Sequence, residues 1–319
     1  MATPRPNTIT LTSRIPADAR GVDLLTYLAR RFRYHERDEW RRLLLEGRVQ
    51  LDGTVATGDE PLSAGMELCY QKLHREPRVA TNAVVLYEDE QLLVVDKPAH
   101  LPMHADGPFI RNTLIHLLRA RHGDQLQLCH RLDRETSGVV IVAKDKQTQA
   151  AVQAQFGDGL AKEYVAVVHG TLKAPLVCDQ PVGRHPSSSV RLRRSANYDA
   201  TAPQAAHTSL TPIEHGAERT LVRCQPTTGR THQIRAHLEH VGHPIVGDKL
   251  YGRGDADYLA FVRSMKAGES VFEYQLPGAL GPNRHLLHAQ SVTLEHPKLT
   301  SRMTFRAAQP PEFEEWLLR

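Results

Sequence analysis

Charged and hydroxyl side chains are concentrated directly ahead of an apolar run in LCHRLDRETSGVVIVAKD, residues 128–145. The apolar run, residues 139–143, is typical of a buried strand. Asp133 lies just before that strand, so we expect rigid scaffold to aim its carboxylate into a cleft, as acid–base or nucleophilic chemistry requires. The alternative is a turn or cap residue with no chemical role, in which case the charges around it form a solvated surface.

A second polar concentration occupies residues 227–252, TTGRTHQIRAHLEHVGHPIVGDKLYG. Gly229 and Arg230 precede a predicted helix that Thr231 can cap, and at this junction Arg230 could pair with a carboxylate through two parallel hydrogen bonds. A metal site is the alternative, although the histidine spacing matches no standard zinc pattern. The histidines concerned are His232, His237, His240 and His243.

A third stretch, AKEYVAVVHG at residues 161–170, places Tyr164 at the start of an apolar strand. A core aromatic residue with its hydroxyl in water is one interpretation. In a nucleic-acid site the ring could instead stack on an exposed base.

Short strands and helices without regular alternation must position these residues, and this mixture favours an α+β fold. Helices are predicted over residues 21–32, around residues 113–122, over 146–156 and over 231–241, and a hairpin turn at Asp52-Gly53. The polar segment 181–204 is expected to be a mobile loop. Polar residues with a proline at 73–83 indicate a linker.

Taken together, the three stretches resemble the RluA-type pseudouridine synthases. The matching motifs are HRLDRETSG (130–138), KEY (162–164) and GRTHQIRAHLEHVGHPIVGDKLYG (229–252), with support from YEDEQLLVVDKPAHLPMH (87–104) and LLHAQSVTLEHP (286–297). They follow the family order over residues 84–300. The resemblance implies a catalytic core with a mixed, mainly antiparallel sheet, flanking helices and a central cleft.

The resemblance also implies roles for individual residues. Asp133 matches the family's essential aspartate, Arg230 the arginine that pairs with it, and Tyr164 the tyrosine that stacks on the target base. Arg131 matches the arginine that fills the space left by the flipped nucleotide, and Leu287 an apolar residue packed near the aspartate. Other basic residues are expected to contact RNA, namely His130, Arg134, Lys162, Arg191, Arg193, Arg194, Arg30 and Arg41.

Two positions depart from the family pattern. His100 stands where the family usually has glycine in KPAHLPMH, which leaves the local turn open. The lysine-rich RNA-gripping loop of the family is replaced by HPSSSVRLRRSANYDATA, residues 185–202, which leaves the substrate open.

Residues 21–70 resemble a different module, the alpha-L RNA-binding domain found in certain ribosomal proteins and synthetases. Its arginines would contact phosphates without reading base sequence. A small domain that serves stability alone is the alternative. The predicted organisation is a flexible tail at 1–14, the RNA-binding domain at 15–73, a linker at 74–83 and the catalytic domain at 84–319.

Composition limits the remaining classes. The 319 residues are 40% hydrophobic and carry a formal net charge of +4, which is compatible with RNA as a partner. No apolar stretch reaches the ~20 residues of a membrane span, and four dispersed cysteines favour neither a disulfide framework nor a zinc ribbon. We therefore predict a reduced, cytoplasmic protein, and we further expect a monomer that needs no protein partner, metal or other cofactor.

The predicted activity is isomerisation of uridine to pseudouridine in structured RNA, more specifically in large-subunit ribosomal RNA, with transfer RNA as the alternative substrate. A non-catalytic RNA-binding or ribosome-assembly protein and a hydrolase using Asp133 with the histidine helix are the competing classes. The hydrolase interpretation lacks a second carboxylate or a metal set.

Overall fold

The computed structural model of the chain describes residues 7–74, 76–156, 160–267, 270, 272, 274 and 281–319. The chain divides into one compact unit that extends to Arg75 and a second that begins at Glu76. In the described residues no helix is long and apolar enough to cross a membrane.

The first unit packs two helices on a small antiparallel sheet of strand order β1-β4-β2-β3. Its elements are β1 (Asn7–Arg14), α1 (Leu24–Arg31), α2 (Arg37–Leu45), β2 (Val49–Leu51), β3 (Thr54–Val55) and β4 (Glu67–His74). Asp23 caps α1 by accepting a hydrogen bond from the backbone N–H of Thr26. Leu28 of α1 and Trp40 of α2 are fully buried in the core of this unit.

The hairpin turn predicted for this unit is confirmed. Asp52 and Gly53 both have positive φ and join β2 to β3, as a tight hairpin with right-handed strand twist requires. The flexible tail is wrong for residues 7–14, because they form β1 and pair with β4 along their whole length. Alternating β-branched and apolar residues in NTITLTSR supply the strand pattern that the prediction overlooked. Residues 1–6 lie outside the described residues.

The second unit is built on one mixed sheet, in which the described residues form the strand order β10-β14-β15-β9-β16-β8-β6-β5, with β17 on β16 and β7 on β8. Its strands are β5 (Val84–Glu88), β6 (Leu92–Lys97), β7 (Gln127–Leu128), β8 (Ser137–Ala143), β9 (Ala161–His169), β10 (Leu176–Cys178), β11 (Val182–Arg184), β12 (Arg194–Ala196), β13 (Thr201–Gln204), β14 (Thr208–His215), β15 (Arg219–Pro226), β16 (Leu287–Glu295) and β17 (Arg302–Arg306). Its helices are α3 (Leu114–His122), α4 (Lys146–Ala154), α5 (Gln233–His240), α6 (Asp255–Lys266) and α7 (Glu312–Leu318). The α+β class with a mainly antiparallel sheet is thereby confirmed.

Strand β8 lies in the middle of this sheet, and all seven of its residues are buried. Val139 and Ile141 face a core that includes Val152 of α4, whereas Val140 and Val142 face a core that includes Leu118 of α3. A strand covered on both faces needs apolar side chains in both directions, which explains the unbroken run VVIVA.

Two segments predicted to be irregular are more ordered than expected. Segment 181–204 contributes β11, β12 and β13, which form a separate three-stranded antiparallel sheet, so the mobile-loop prediction is wrong there. Residues 76–83 contain no helix or strand, but the carboxylate of Glu76 accepts hydrogen bonds from the backbone N–H groups of residues 110–112. The predicted linker is therefore attached to the second unit from Glu76 onward.

Candidate functional site

Asp133 occupies the turn between β7 and β8, and a histidine side chain holds that turn in place. The imidazole Nε2 of His130 accepts a hydrogen bond of 3.0 Å from the backbone N–H of Ile141. The backbone N–H of Thr136 donates to the carbonyl of Asp133 at 3.1 Å. The carboxylate is thus carried by a turn fixed to the central strand, as the sequence predicted.

Gly138 explains how β16 reaches this turn. It has a φ of +112°, and a Cβ at this position would lie 2.2 Å from the carbonyl oxygen of Ala289. Only glycine permits both the backbone conformation and the close parallel approach of β16 to β8. The approach brings Leu287, the first residue of β16, to the wall of the cavity in front of Asp133.

The partner of Asp133 is Arg235 on α5. A guanidinium nitrogen of Arg235, Nη1, donates to Oδ2 of Asp133 at 2.7 Å. The other two nitrogens donate to the two oxygens of Asp248, at 2.7 and 2.9 Å. Because Arg235 is held by two parallel bonds to Asp248, its remaining edge is fixed toward Asp133.

The prediction that Arg230 pairs with Asp133 is wrong. Arg230 is exposed in the segment before α5, and its Nε donates to the carbonyl of Ala205 at 3.0 Å. Helix α5 packs into a core formed with β9 and β15, and its residues 233–238, which include Arg235, are all buried. A cation among buried helix positions needs a carboxylate partner, and this is the signal in GRTHQIR that could have identified Arg235.

Opposing effects determine the ionisation of Asp133. Burial raises the pKa of its carboxyl group, but His232, Arg235 and His285, together with the hydrogen bond from Arg235, hold it well below its usual range. Burial lowers the pKa of His232 to about 4, so its imidazole is neutral at pH 7 and Arg235 is the permanent positive charge. Asp133 is therefore a carboxylate at neutral pH.

A cavity of about 310 Å³ opens in front of the carboxylate and has the size of a small-ligand site. Tyr164 on β9 lines it together with Leu287, and burial plus the charge of Asp133 raises the pKa of the tyrosine. The phenol therefore keeps its proton at neutral pH. A second cavity of about 380 Å³ adjoins the first, and both are lined by Asp133, Arg131 and His232.

Two residues predicted to contact RNA, His130 and Arg134, form contacts within the protein instead, so the prediction is wrong for them. The Nε2 atom of His130 is used by the backbone of β8, as described above. The guanidinium of Arg134 donates to Glu135 at 3.1 Å and lies 4.9 Å from the centre of the Phe261 ring. Their position beside a buried strand directs both side chains inward.

The three arginines of segment 191–194 differ in whether they face solvent or form contacts inside the protein. Arg193 has a side chain only 12% exposed and forms ion pairs of 2.9 Å with Glu239 and Asp255, so it ties the segment to α5 and α6 rather than facing RNA. Arg191 is exposed, and Arg194 is half-buried with its guanidinium donating to the carbonyl of Arg191. For Arg191 and Arg194 the contact with RNA stays a prediction.

The remaining predicted contacts vary in exposure. Arg131 is exposed at the mouth of both cavities. Lys162 is buried at the wall of the first cavity, where its ammonium group donates to the carbonyl of Thr228 at 3.1 Å. Arg30 and Arg41 face solvent in the first unit, Arg41 with an ion pair to Asp38.

The metal alternative finds no geometric support in the part of the chain that the structure describes, where no three candidate ligands come together. His237 is fully buried, and its two nitrogens are bonded to Thr208 and to the carbonyl of Gln180. His232 instead faces Asp133, with Nε2 at 3.8 Å from Oδ1. Asp248 and Tyr251 were not singled out by sequence reasoning, and His232 was considered only as a metal ligand, although all three lie within the quoted motif.

Comparison with known proteins identifies the second unit. The family described as RNA pseudouridylate synthase matches residues 91–240. A protein named ribosomal large subunit pseudouridine synthase D from Pseudomonas aeruginosa is 30% identical over 317 residues, covering 96% of this chain and 94% of that protein. A protein of the same name from Xanthomonas campestris is 32% identical over 308 residues, covering 93% of this chain and 87% of its own.

Solved structures show the same similarity. Human RNA pseudouridylate synthase domain containing 1 aligns with a TM-score of 0.57 at 25% identity, covering 74% of this chain and 87% of that one. Human RNA pseudouridylate synthase domain containing 4 aligns with a TM-score of 0.51 at 29% identity, covering 72% and 90%.

Proposed function

Because the chain belongs to the RNA pseudouridylate synthase family, we propose that it isomerises uridines of large-subunit ribosomal RNA to pseudouridine and that Asp133 is its catalytic group. Membership in the family makes the chain an RNA pseudouridine synthase, which is an isomerase. The name of the relatives supports ribosomal RNA over transfer RNA as the substrate. The single structural observation that supports the role of Asp133 is its ionised carboxylate at a ligand-sized cavity, paired with Arg235.

The reaction breaks the N-glycosidic bond, turns the uracil and joins its carbon 5 to the same ribose carbon; the carbon-5 proton is released and the freed N1 takes up a proton. Reactants and product have the same atoms and oxidation state, so the stoichiometry requires no reductant or group donor. Asp133 can attack the sugar or the base, or remove a sugar proton, and each route needs the ionised form that Arg235 stabilises. Arg235 replaces Arg230 in this proposal.

Tyr164 and Leu287 would hold the target base against the carboxylate. Both side chains line the cavity, and the protonated phenol of Tyr164 presents an uncharged ring for stacking. A paired uridine cannot enter this cavity unless the nucleotide is extruded from its helix, at a cost of a few kcal/mol. Arg131, which is exposed and lines the cavity, would occupy the vacated position.

Contacts with the rest of the RNA would offset that cost. In the second unit we assign them to Arg131, Lys162, Arg191 and Arg194. The first unit would add phosphate contacts through the exposed arginines of α1, α2 and the segment between them. Those arginines are Arg30, Arg31, Arg33, Arg37, Arg41 and Arg42.

One chain suffices for this function in our proposal, because the carboxylate, its arginine partner and the cavity wall all come from a single polypeptide. A monomer acting in the cytoplasm, where ribosomal RNA is modified during assembly, is the simplest arrangement. Sedimentation of the active protein with and without RNA tests the monomer. A dimer that dissociates with loss of activity would contradict it.

The catalytic assignment is tested by Asp133→Asn, which keeps the shape of the side chain but removes its charge. We expect no release of tritium from RNA labelled at carbon 5 of uridine, with unchanged thermal stability and RNA affinity. Asp124→Asn, at an exposed aspartate, is the matched control and should be fully active. Free uracil or chain cleavage from the unaltered protein would instead indicate hydrolysis.

The RNA target is tested by mapping pseudouridine in total RNA from cells with and without the protein. We expect sites in large-subunit ribosomal RNA to disappear and to return with the unaltered gene, but not with Asp133→Asn. Loss of sites in transfer RNA alone would contradict the ribosomal substrate and leave the enzyme class intact.

A further inference from the structure

The second oxygen of Asp133 faces a histidine whose backbone is unusual. His232 has a φ of +56° and a ψ of 19°, in the left-handed region that residues other than glycine seldom occupy. It stands at the N-cap of α5, yet its side chain makes no capping hydrogen bond. Strained residues of this kind persist where the surrounding structure requires the side chain in one place.

The ring of His232 lies between Asp133 and Tyr251. Its Nε2 is 3.8 Å from Oδ1 of Asp133, the oxygen that Arg235 does not bind, and its Nδ1 is 3.0 Å from the hydroxyl of Tyr251. Tyr251 is itself buried, with a relative exposure of 1%. Its ring also packs under the guanidinium of Arg235, at 4.8 Å from the ring centre.

The hydrogen bonds of Tyr251 favour one of the two neutral tautomers of His232. The backbone N–H of Arg194 donates to the tyrosine oxygen at 2.9 Å. Burial raises the pKa of Tyr251, so the hydroxyl keeps its proton and can donate it to Nδ1 of His232. A neutral imidazole that accepts at Nδ1 carries its own proton on Nε2, the nitrogen that faces Asp133.

We propose that Tyr251 and His232 are positioning residues for Asp133, forming a chain of hydrogen bonds from the backbone of Arg194 that directs the Nε2–H of His232 at Oδ1 of the carboxylate. This inference rests on the proposed role of Asp133. Arg235 and His232 then engage one oxygen each and hold the plane of the carboxylate relative to the cavity. The present 3.8 Å separation exceeds a hydrogen bond, and the proposed chain requires that it shorten when a substrate fills the cavity, as catalytic hydrogen bonds commonly do.

The chain also links the site to β12. Arg194 opens β12, and the adjacent Arg193 anchors the segment through Glu239 and Asp255. The residues that fix the donor to Tyr251 therefore lie in the segment that departs from the family's lysine-rich loop. A shift of this segment would move the backbone donor of Tyr251 and would thereby change the position of His232 relative to Asp133.

The test compares two substitutions of nearly equal size at position 232. His232→Gln places an amide N–H near the former Nε2, whereas His232→Met keeps the length without a donor. For tritium release we expect His232→Met to lower kcat about ten- to one-hundred-fold with KM little changed, the effect of one hydrogen bond to a charged group. His232→Gln should recover most of that loss.

Matched controls separate this effect from damage to α5. His240 is exposed on the same helix, so His240→Gln and His240→Met should both keep full activity. Tyr251→Phe removes only the hydroxyl and should lower kcat about threefold to tenfold. Tyr87→Phe, which removes a hydroxyl bonded to Asp89 elsewhere in the unit, should have no effect on kcat.

A measurement that does not depend on activity shows directly which ring nitrogen of His232 carries the proton. Nitrogen NMR of labelled protein at pH 7, with His232 assigned by its absence in His232→Gln, should show a neutral ring protonated at Nε2. In Tyr251→Phe the preference for that form should weaken. A ring protonated at Nδ1 in the unaltered protein would overturn the proposal, even if His232→Met fails to fold.

Kinetic outcomes distinguish this inference from the proposed function. Loss of activity in His232→Met with recovery in His232→Gln supports the chain of hydrogen bonds from Tyr251 through His232 to Asp133. Two outcomes would overturn the hydrogen-bond chain but leave the role of Asp133 in place. One is an equal loss of activity in both variants, and the other is full activity in both while Asp133→Asn is inactive. An active Asp133→Asn overturns both.

Discussion

In the cleft around Asp133, guanidinium groups are buried against carboxylates, whereas the arginines of α1 and α2 face solvent. The side chain of Arg235 is 7% exposed and contacts two carboxylates, one of them fully buried. That of Arg41 is 54% exposed and pairs with Asp38, which is 89% exposed. Breaking a buried pair leaves an uncompensated charge and costs ~3–5 kcal/mol, while an exposed pair contributes ~0–1 kcal/mol.

The difference shows what each region can do. Buried pairs fix atoms to within a fraction of an ångström, which suits a site where a carboxylate must meet one bond. Exposed arginines remain able to exchange water and counterions for phosphates, which suits binding without sequence selection. Four expected results test this contrast, beginning with the largest.

Acidification should affect the second unit far more than the first. Burial lowers the pKa of His100, His130, His232 and His288 to about 4, and that of His285 to about 3. Their pKa in the unfolded chain is about 6.5. Between pH 6.5 and 4 the unfolded state therefore binds more protons than the folded state, and the free energy of unfolding decreases as the pH is lowered. Each group lowers the free energy of unfolding by up to about 2 kcal/mol at pH 5.

The two tryptophans allow this to be measured in the full chain. Trp40 belongs to the core of the first unit and Trp316 packs against a core of the second. Denaturant unfolding at pH 7 and pH 5, followed in Trp316→Phe and Trp40→Phe, should show a larger shift for the signal of Trp316. Equal shifts for both signals would contradict the contrast.

Substitution of the two arginines in GRTHQIR should have opposite outcomes. Arg235→Lys keeps a charge but cannot bind Asp248 and Asp133 through one planar group, so we expect activity to fall about 100-fold or more and stability by about 3 kcal/mol. Arg230→Lys, at an exposed position, should change tritium release by less than about threefold and stability by less than 0.5 kcal/mol, as is usual for surface sites. Comparable losses of tritium release in both variants would show that Arg230 also takes part in the active site.

Removal of a carboxylate that does not face the cavity sharpens the same point. Asp248→Asn leaves Arg235 with Asp133 alone, and we expect a loss of about 10- to 100-fold in kcat because the guanidinium is no longer held at its far edge. Asp255→Asn, which removes a partner of the partly exposed Arg193, should cost less in kcat. Steady-state tritium release gives both values, and a larger effect in Asp255→Asn would contradict this ranking.

The smallest effect per residue is expected in the first unit. Alanine at both Arg37 and Arg41 should leave kcat unchanged and reduce the salt dependence of RNA binding by up to about one phosphate contact per residue. Affinity measured from 50 to 200 mM salt gives that slope. Lys146→Ala, on a different element of the second unit, is the control, and an unchanged slope in the double variant would remove the first unit from the RNA interface.

Much of the architecture followed from local patterns. The buried strand β8 and the Asp52-Gly53 hairpin were predicted correctly, because their apolar pattern and turn chemistry are set by neighbouring residues. The family and its fold followed from HRLDRETSG and GRTHQIR. The position of Asp133 at the lip of the core followed as well, since the turn precedes the strand directly.

The partner of Asp133 was decided only by the tertiary structure. Arg230 and Arg235 stand five residues apart in one motif, and local spacing favoured the arginine at the start of the helix. The packing of α5 into the core buries six consecutive residues, 233–238, and Arg235 is one of them. A buried charge needs carboxylate partners, and Asp133 lies 102 residues away in sequence, so long-range packing selected Arg235. The same packing placed His232 against the second oxygen of the carboxylate.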